Sequence, residues 1–401
     1  MKKPSFYSLP PVATKISFPV LARTIKKRWN NSNSAWMEEI RSYLGVRHAL
    51  YLSSGRAALW LALKALSSIN PVRKEVVLPA YTCPAIVSGV LKAGLKPVLC
   101  DNNLNDFGFS EEDLHRKISE NTLAVVVVHL FGYPANVERV KECCKKQGSY
   151  LIEDAAQAFG NCSFDSKNGM LGSQGDAGFL SFGRGKPISL LQGGVLTTNS
   201  DEIFFESQKF YDDLNHQKKF EELGYCLLIA SYSLFSNPYL YWVPQRIPSL
   251  HLGETIFEPD FETSKGSELA ASLLTELMKS FEEGKQVRRG VSLWYAEKFE
   301  GIPKFRKPPK PDFPYLRYPL FIEEKNLRDR MLTELMACGT GATLFYPFPL
   351  NRLPGLEKKL QDSSVYPNAQ NLSETLIALP VHSGVSASHR QKILDIVKQE
   401  M

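Results

Sequence analysis

Three short runs in this 401-residue chain combine residue types that do chemistry only when something holds them in place. In Leu180-Ser181-Phe182-Gly183-Arg184-Gly185-Lys186-Pro187 a lysine sits in a glycine-rich loop, followed by Gln192-Gly193-Gly194 and the apolar Val195 to Thr198. Such a lysine is most often simply solvated. One held near a cation or partly desolvated has a lowered pKa, and its amine can then form a Schiff base with an aldehyde. In Ile152-Glu153-Asp154-Ala155-Ala156-Gln157-Ala158 an apolar run ends on acids followed by small residues. A carboxylate at a buried strand end needs a cation or hydrogen-bond donors. A protonated heterocyclic nitrogen is one such partner; capping of the next helix is the plainer role. In Ser53-Ser54-Gly55-Arg56-Ala57 small hydroxyls and a glycine lead into a helical run. A helix start offers free N–H groups and a positive dipole end that suit a phosphate, and Arg56 adds full charge, although a serine there commonly serves only as an N-cap.

The elements that must position these runs follow from the apolar pattern. From about Ser53 to Asn199, short apolar runs alternate with helical ones, the signature of βαβ units and a largely parallel sheet. Strands are expected at Val76 to Pro79, Pro97 to Cys100, Leu123 to His129, Tyr150 to Glu153 and Gly178 to Phe182, and helices at Ala57 to Leu66, Pro84 to Ala93 and Val137 to Gln147. Ligands of such sheets bind beyond the carboxyl ends of the strands, which is where the three runs fall. Further on, the pattern predicts a long helical segment to Leu223, an amphipathic helix near Ser267 to Phe281, and a charged, proline-rich connector at Pro303 to Pro319. A strand, helix, strand, helix series then follows at Tyr318 to Ile322, Leu327 to Ala337, Thr375 to Ala378 and Ser388 to Glu400.

Composition narrows the function classes. Hydrophobic residues make up 43% and charged residues 22%, as in ordinary globular proteins, so disorder and repeat arrays are excluded. The net charge of +6 is spread along the chain and does not call for nucleic acid. Seven cysteines without a Cys-x-x-Cys spacing point to reduced thiols in a cytoplasm rather than to a metal or disulfide framework. The segment Met1 to Val20 has Lys2 and Lys3 but is broken by Pro4, Pro10 and Pro11, and does not read as a signal peptide. Gly224 to Pro244 carries no charged residue and is rich in Leu, Tyr, Phe and Trp. Polar residues and Asn237-Pro238 interrupt it, so it is expected to form two short apolar segments as a buried or subunit-facing hairpin, with a membrane surface as the alternative site of burial.

Taken in order, the motifs resemble one family. Ser-Gly-x-Ala-Ala-Leu at Ser54 to Leu59, Leu-Pro-Ala-Tyr-Thr at Leu78 to Thr82, His-Leu-Phe-Gly-x-Pro at His129 to Pro134, Glu-Asp-Ala-Ala-Gln-Ala at Glu153 to Ala158, Ser-Phe-x-x-x-Lys at Ser181 to Lys186 and Leu-Pro-Val-His at Leu379 to His382 all stand in its sequence. The family is the DegT or StrS type of nucleotide-sugar aminotransferase, within the pyridoxal-phosphate enzymes of aspartate-aminotransferase fold (fold type I). The resemblance implies an α/β fold: an N-terminal segment (1–44), a large mixed-sheet cofactor domain (45–302) with an apolar insertion at 224–244, and a small C-terminal α+β domain (303–401). It implies pyridoxal 5'-phosphate held by Lys186, with Asp154 on the ring nitrogen, Gln157 against the ring face or its 3-oxygen, and Arg56, Ala57 and Ser181 at the phosphate. It also implies a cytoplasmic homodimer that takes a nucleotide-linked keto sugar and an amino-acid donor, glutamate by analogy, in amino-sugar or surface-polysaccharide biosynthesis.

Several positions depart from the family pattern. Cys83 stands where an aromatic often stacks on the ring, leaving Tyr81 as the candidate, and Gly183 where His or an aromatic is common. The region of the family's Gly-Tyr-Asn-Tyr-Arg loop reads Phe257-Glu-Pro-Asp-Phe-Glu-Thr-Ser-Lys-Gly, and neither its Asn nor its Arg is matched. Two rival functions follow: a sugar dehydratase of the same fold, against which Lys186 speaks because those enzymes carry His there, and a regulatory or membrane-associated binding protein built on the scaffold.

Overall fold

The computed structural model describes residues 7–30, 35–164 and 169–401, so Lys2, Lys3 and Pro4 lie outside the described residues. All seven residues of Thr122–Val128 are buried, as a strand covered on both faces requires. This strand, β4, is an interior strand of a seven-stranded sheet with β1 (His48–Leu52), β2 (Glu75–Pro79), β3 (Lys96–Cys100), β5 (Tyr150–Asp154), β6 (Ala177–Ser181) and β7 (Gly194–Thr198). The order is β1-β7-β6-β5-β4-β2-β3. Only β7 runs against its neighbours, and the remaining pairings are parallel. The carboxyl ends of the other six strands therefore open on one edge, which brings Ser53, Tyr81, His129, Asp154 and Ser181 together.

The helix Gly55–Ile69 leaves β1 for the face of this sheet. Ala57, Ala58, Leu59, Leu61, Ala62, Leu63, Ala65 and Leu66 are all buried, because β6 and β7 cover one side of the helix and the helices Ala85–Lys92 and Asp201–Asp212 cover the other. Burying each leucine is worth about 1.5–3 kcal/mol, so the helix start beside the site rests on a rigid support. A second, antiparallel sheet has the order β10-β9-β8, with β8 (Phe305–Arg306), β9 (Tyr318–Ile322) and β10 (Leu376–Leu379). The helices Lys325–Ala337, Pro367–Thr375 and Ala387–Glu400 accompany it.

The expected strands form within a residue or two of their predicted bounds. The segment after Asn199 differs: one helix ends at Asp212 and the next runs Lys219–Phe235, into the uncharged stretch. The proline-rich connector contributes β8, where Phe305 and Arg306 pair with Ile322 and Phe321. The helix expected near Ser267 to Phe281 ends at Met278, and an 18-residue helix, Phe281–Lys298, follows it.

The uncharged stretch does break at Asn237-Pro238, where Asn237 Oδ1 accepts the Tyr239 N–H at 3.0 Å. Its burial within the protomer is one-sided, so of the expected buried or subunit-facing hairpin the fully buried form is not what the chain adopts. Tyr225 and Ile229 enter the core, and the inner side holds the N-terminal segment: Thr14 N donates to Tyr232 Oη (3.3 Å) and Ser8 N to Pro238 O (2.9 Å). Phe220, Leu223, Leu227, Leu228, Leu234 and Tyr239 remain 47% to 69% exposed. Among the described residues no helix is long and apolar enough to cross a membrane.

Candidate active site

Lys186 lies in the loop between β6 and β7. The loop is closed by main-chain bonds, Phe182 N to Gly193 O (2.9 Å) and Leu190 N to Phe182 O (2.7 Å), and its turn is pinned by Ser189, whose Oγ accepts from Gly185 N (3.0 Å) and donates to Gly183 O (3.1 Å). Gly185 has φ of 74°, which an L side chain adopts only under strain. These constraints fix the loop that carries the half-buried Lys186, whose charge acts on Asp154 at the end of β5.

Asp154 is buried, and among the described residues its Oδ1 accepts a single hydrogen bond, from Ala156 N at 2.9 Å. Burial pushes its carboxyl above the usual range, and of the charges that oppose this, Lys186 counts most. Such a carboxylate is under-compensated by protein groups alone. At the neighbouring helix start, Ser54 accepts from Ala57 N at 3.2 Å, so Ala57 has already given up the N–H that the resemblance assigned to phosphate. The N–H groups of Gly55 and Arg56, first in the helix, have no acceptor within the helix itself. Gly55 packs so tightly on Ser181 that a Cβ on it would stand 2.7 Å from Ser181 Cβ. The Ser181 hydroxyl accepts from Gly183 N (3.3 Å), which leaves its own proton free to donate.

The guanidinium of Arg56 turns away from this cradle: Nη1 pairs with Glu258 Oε2 at 2.7 Å, and the group lies 5.1 Å from the centre of the Phe261 ring. The contribution expected of its charge at a phosphate therefore reduces to its main-chain N–H. Gln157 is buried with both ends of its amide engaged, Oε1 accepting from Phe131 N (2.9 Å) and Nε2 donating to Tyr346 Oη (3.2 Å). Tyr81 is buried edge-on to Tyr346 and donates to Tyr346 O (3.2 Å). Tyr346 itself was not singled out in the sequence. It reaches Gln157 from far along the chain, and burial first, then Cys83 and Asp154, push its hydroxyl well above the ordinary tyrosine range.

Beneath the site His129 and Glu153 form a fully buried pair at 3.0 Å. His129 Nδ1 accepts from Ala135 N (3.2 Å), so Nε2 carries the proton donated to Glu153 Oε2. Gly172 N adds a bond at 3.0 Å, and Gln174 N and Gly175 N add bonds at 2.5 and 2.8 Å. Burial works to raise the Glu153 carboxyl, but these donors outweigh it and hold the group below its ordinary range. Its stabilising effect is thus complete above the unfolded-state value and lost as pH falls through the folded one. Glu153→Gln places an amide where four donors converge and should cost about 3 kcal/mol. A urea midpoint shifted to match, with unchanged slope, checks this; an unmoved midpoint contradicts it.

Pyridoxal phosphate asks for an amine, a carboxylate for its ring nitrogen and donors for its phosphate. Lys186, the under-compensated Asp154 and the cradle at Gly55, Arg56 and Ser181 fit all three. The sequence profile of the DegT/DnrJ/EryC1/StrS aminotransferase family matches residues 23–221 and 263–398. The chain belongs to this family. The match passes over residues 222–262, which hold the uncharged stretch. The chain is 26% identical to UDP-N-acetyl-3-dehydro-alpha-D-glucosamine 3-aminotransferase of Acidithiobacillus ferrooxidans, over 92% of this chain and 89% of that one. It is 33% identical to GDP-perosamine synthase of Vibrio cholerae over 45% of this chain and 48% of that one. Helicobacter pylori PseC, an aminotransferase involved in the biosynthesis of pseudaminic acid, superposes with a TM-score of 0.75 at 21% identity, over 99% of both chains. The large mixed sheet with its smaller antiparallel companion is thus the fold type I architecture of the sugar aminotransferases.

Proposed function

We propose that this member of the family is a pyridoxal-phosphate enzyme that moves an amino group from glutamate to a keto sugar carried on a nucleotide. The reading rests on the buried Asp154 carboxylate, with Lys186 the leading charge acting on it, at the strand edge beside an open helix start. When bound, pyridoxal phosphate supplies an electron sink for the carbon that bears the transferred nitrogen. Asp154 would hold the ring nitrogen protonated. The N–H groups of Gly55 and Arg56 and the Ser181 hydroxyl would receive the phosphate. The Lys186 amine would take the proton from the substrate carbon and return it one position away. Gln157 and Tyr346 would stand beside the ring.

Adding glutamate to the pyridoxal-phosphate-loaded protein should move the cofactor's absorbance from the aldehyde-derived to the amine form. Oxidation back by GDP-, UDP- or dTDP-linked keto sugars should then identify the acceptor. The names of the relatives support this acceptor class. A protein that binds the cofactor but never converts it with glutamate is the regulatory binder instead. The presence of Lys186 favours transamination over sugar dehydration.

The working form on this reading is a cytoplasmic homodimer. The row Phe220, Leu223, Leu227 and Leu234 recurs at helical spacing along the exposed side of Lys219–Phe235, and a second copy is the cover we assign to it. The protein should sediment as a dimer and stay behind when neutral or anionic vesicles float. Changing Leu227, Leu228 and Leu234 to Ser should yield monomer. Flotation of the wild type that is lost in this variant would instead place the row on a membrane surface.

A further inference from the structure

Arg317, at the entry to β9, is an arginine in an unusual position. Among the described residues its Nε is sealed from solvent without a partner, and its one hydrogen bond runs from Nη1 to Thr343 Oγ1 at 3.3 Å. Among the described residues no carboxylate closes to an ion pair with it; the groups that act on it are the hydroxyls of Tyr346 and Tyr241. The guanidinium also stands 5.3 Å from the centre of the Phe345 ring. Burial pushes its pKa down, the mark of a charge whose lost hydration has not been replaced. The side chain is half-buried with its Nε sealed and unpaired, which is costly and is not a way to stabilise a fold.

Its place suggests what the charge is for. A Cβ on Gly185 would lie 3.1 Å from Arg317 Nη2, so the guanidinium rests on the residue next to Lys186. Thr343 is fixed in turn by paired main-chain bonds with Ala378 on β10 (3.0 and 2.9 Å), which makes the support rigid. The other cation of this loop, Arg184, is exposed and bonds outward to Leu250 O at 3.1 Å.

We propose that Arg317 receives the α-carboxylate of the amino donor and so sets which amines enter the reaction. An amino acid whose amine meets Lys186 carries its carboxylate on the adjoining carbon, within reach of a group lying against Gly185. The planar guanidinium fork suits a carboxylate held by two parallel bonds. The diphosphate of a nucleotide sugar is the other anion available, but it stands across the sugar ring from the carbon to be aminated.

The proposal rests on the aminotransferase reading, and the test separates the two. The pyridoxal-phosphate-loaded wild type and its Arg317→Gln and Arg317→Lys variants are compared for borohydride adduct on Lys186, for melting, and for each half-reaction. L-glutamate and its α-carboxamide, L-isoglutamine, serve as donors, and the pyridoxamine-loaded form is used for the keto-sugar half. Arg317→Gln should raise the half-saturating glutamate concentration roughly 10- to 100-fold and erase the preference for glutamate over isoglutamine, with adduct yield and keto-sugar saturation unchanged. Arg317→Lys should recover part of the loss, and it carries the test should Arg317→Gln fail to fold. Unshifted glutamate saturation with a normal adduct overturns this proposal alone. A shift confined to the nucleotide sugar also overturns it and assigns the guanidinium to the diphosphate. A wild type with no adduct on Lys186 overturns both readings.

Discussion

Lys186→Ala is expected to lower turnover on the order of 10⁴-fold or more, with the chain still folded. The loss is large because one amine has two tasks, forming the covalent link to the cofactor and carrying the proton between substrate carbons. The fold should survive because the bonds that shape the loop avoid the lysine side chain: they run between main-chain groups of Phe182, Leu190 and Gly193 and through the Ser189 hydroxyl. Lys186→Arg restores a positive charge near Asp154 but no condensing amine, so it should stay as inactive as the alanine variant. That pair of results assigns the defect to chemistry rather than to lost charge. Borohydride reduction and peptide mapping of the wild type should place the pyridoxyl group on Lys186. An adduct on Lys209 instead, which the structure occupies with Glu206, would remove Lys186 from the role.

The parts of this site that could be read from the sequence are those set by local rules. Apolar runs such as Leu123 to Val128 mark buried strands, and the carboxyl-edge rule then places Asp154, Ser181 and the Ser53–Ala57 run on one crevice before any contact is known. What the sequence did not disclose depends on chain segments that meet over long separations. Tyr346 reaches Gln157 across 189 positions, turned inward by Phe345 with φ of 71°. Arg56 looks like a phosphate ligand until the segment at Glu258 folds back over it, 202 positions away. Arg317 stands out only once burial and the absence of a paired carboxylate are both visible. Each of these was an ordinary residue in an ordinary run, and no spacing or periodicity marks a contact made by tertiary packing.

Asp154→Asn is expected to separate stability from activity. In the cofactor-free chain the carboxyl is buried with one hydrogen bond, and burial raises its pKa against the opposing pull of Lys186. Sign follows from linkage: the folded state holds its proton to higher pH than the unfolded chain does. Stability therefore falls as pH rises from the ordinary aspartate range through the folded value, and stays reduced above it. Asparagine is nearly the same size, keeps an oxygen to accept from Ala156 N and carries no charge, so at neutral pH the cofactor-free variant should be more stable than wild type by about 1 kcal/mol. Activity should move the other way. Without the carboxylate the ring nitrogen is no longer held protonated, the electron sink weakens, and turnover should fall by about 10²-fold or more. Urea unfolding of the cofactor-free proteins at neutral pH and near pH 4, beside turnover at neutral pH, reads both effects, and the stability gain should shrink at the lower pH. Near-wild-type turnover would take Asp154 out of the mechanism. A loss of activity accompanied by a loss of stability would mean that the carboxylate serves the fold.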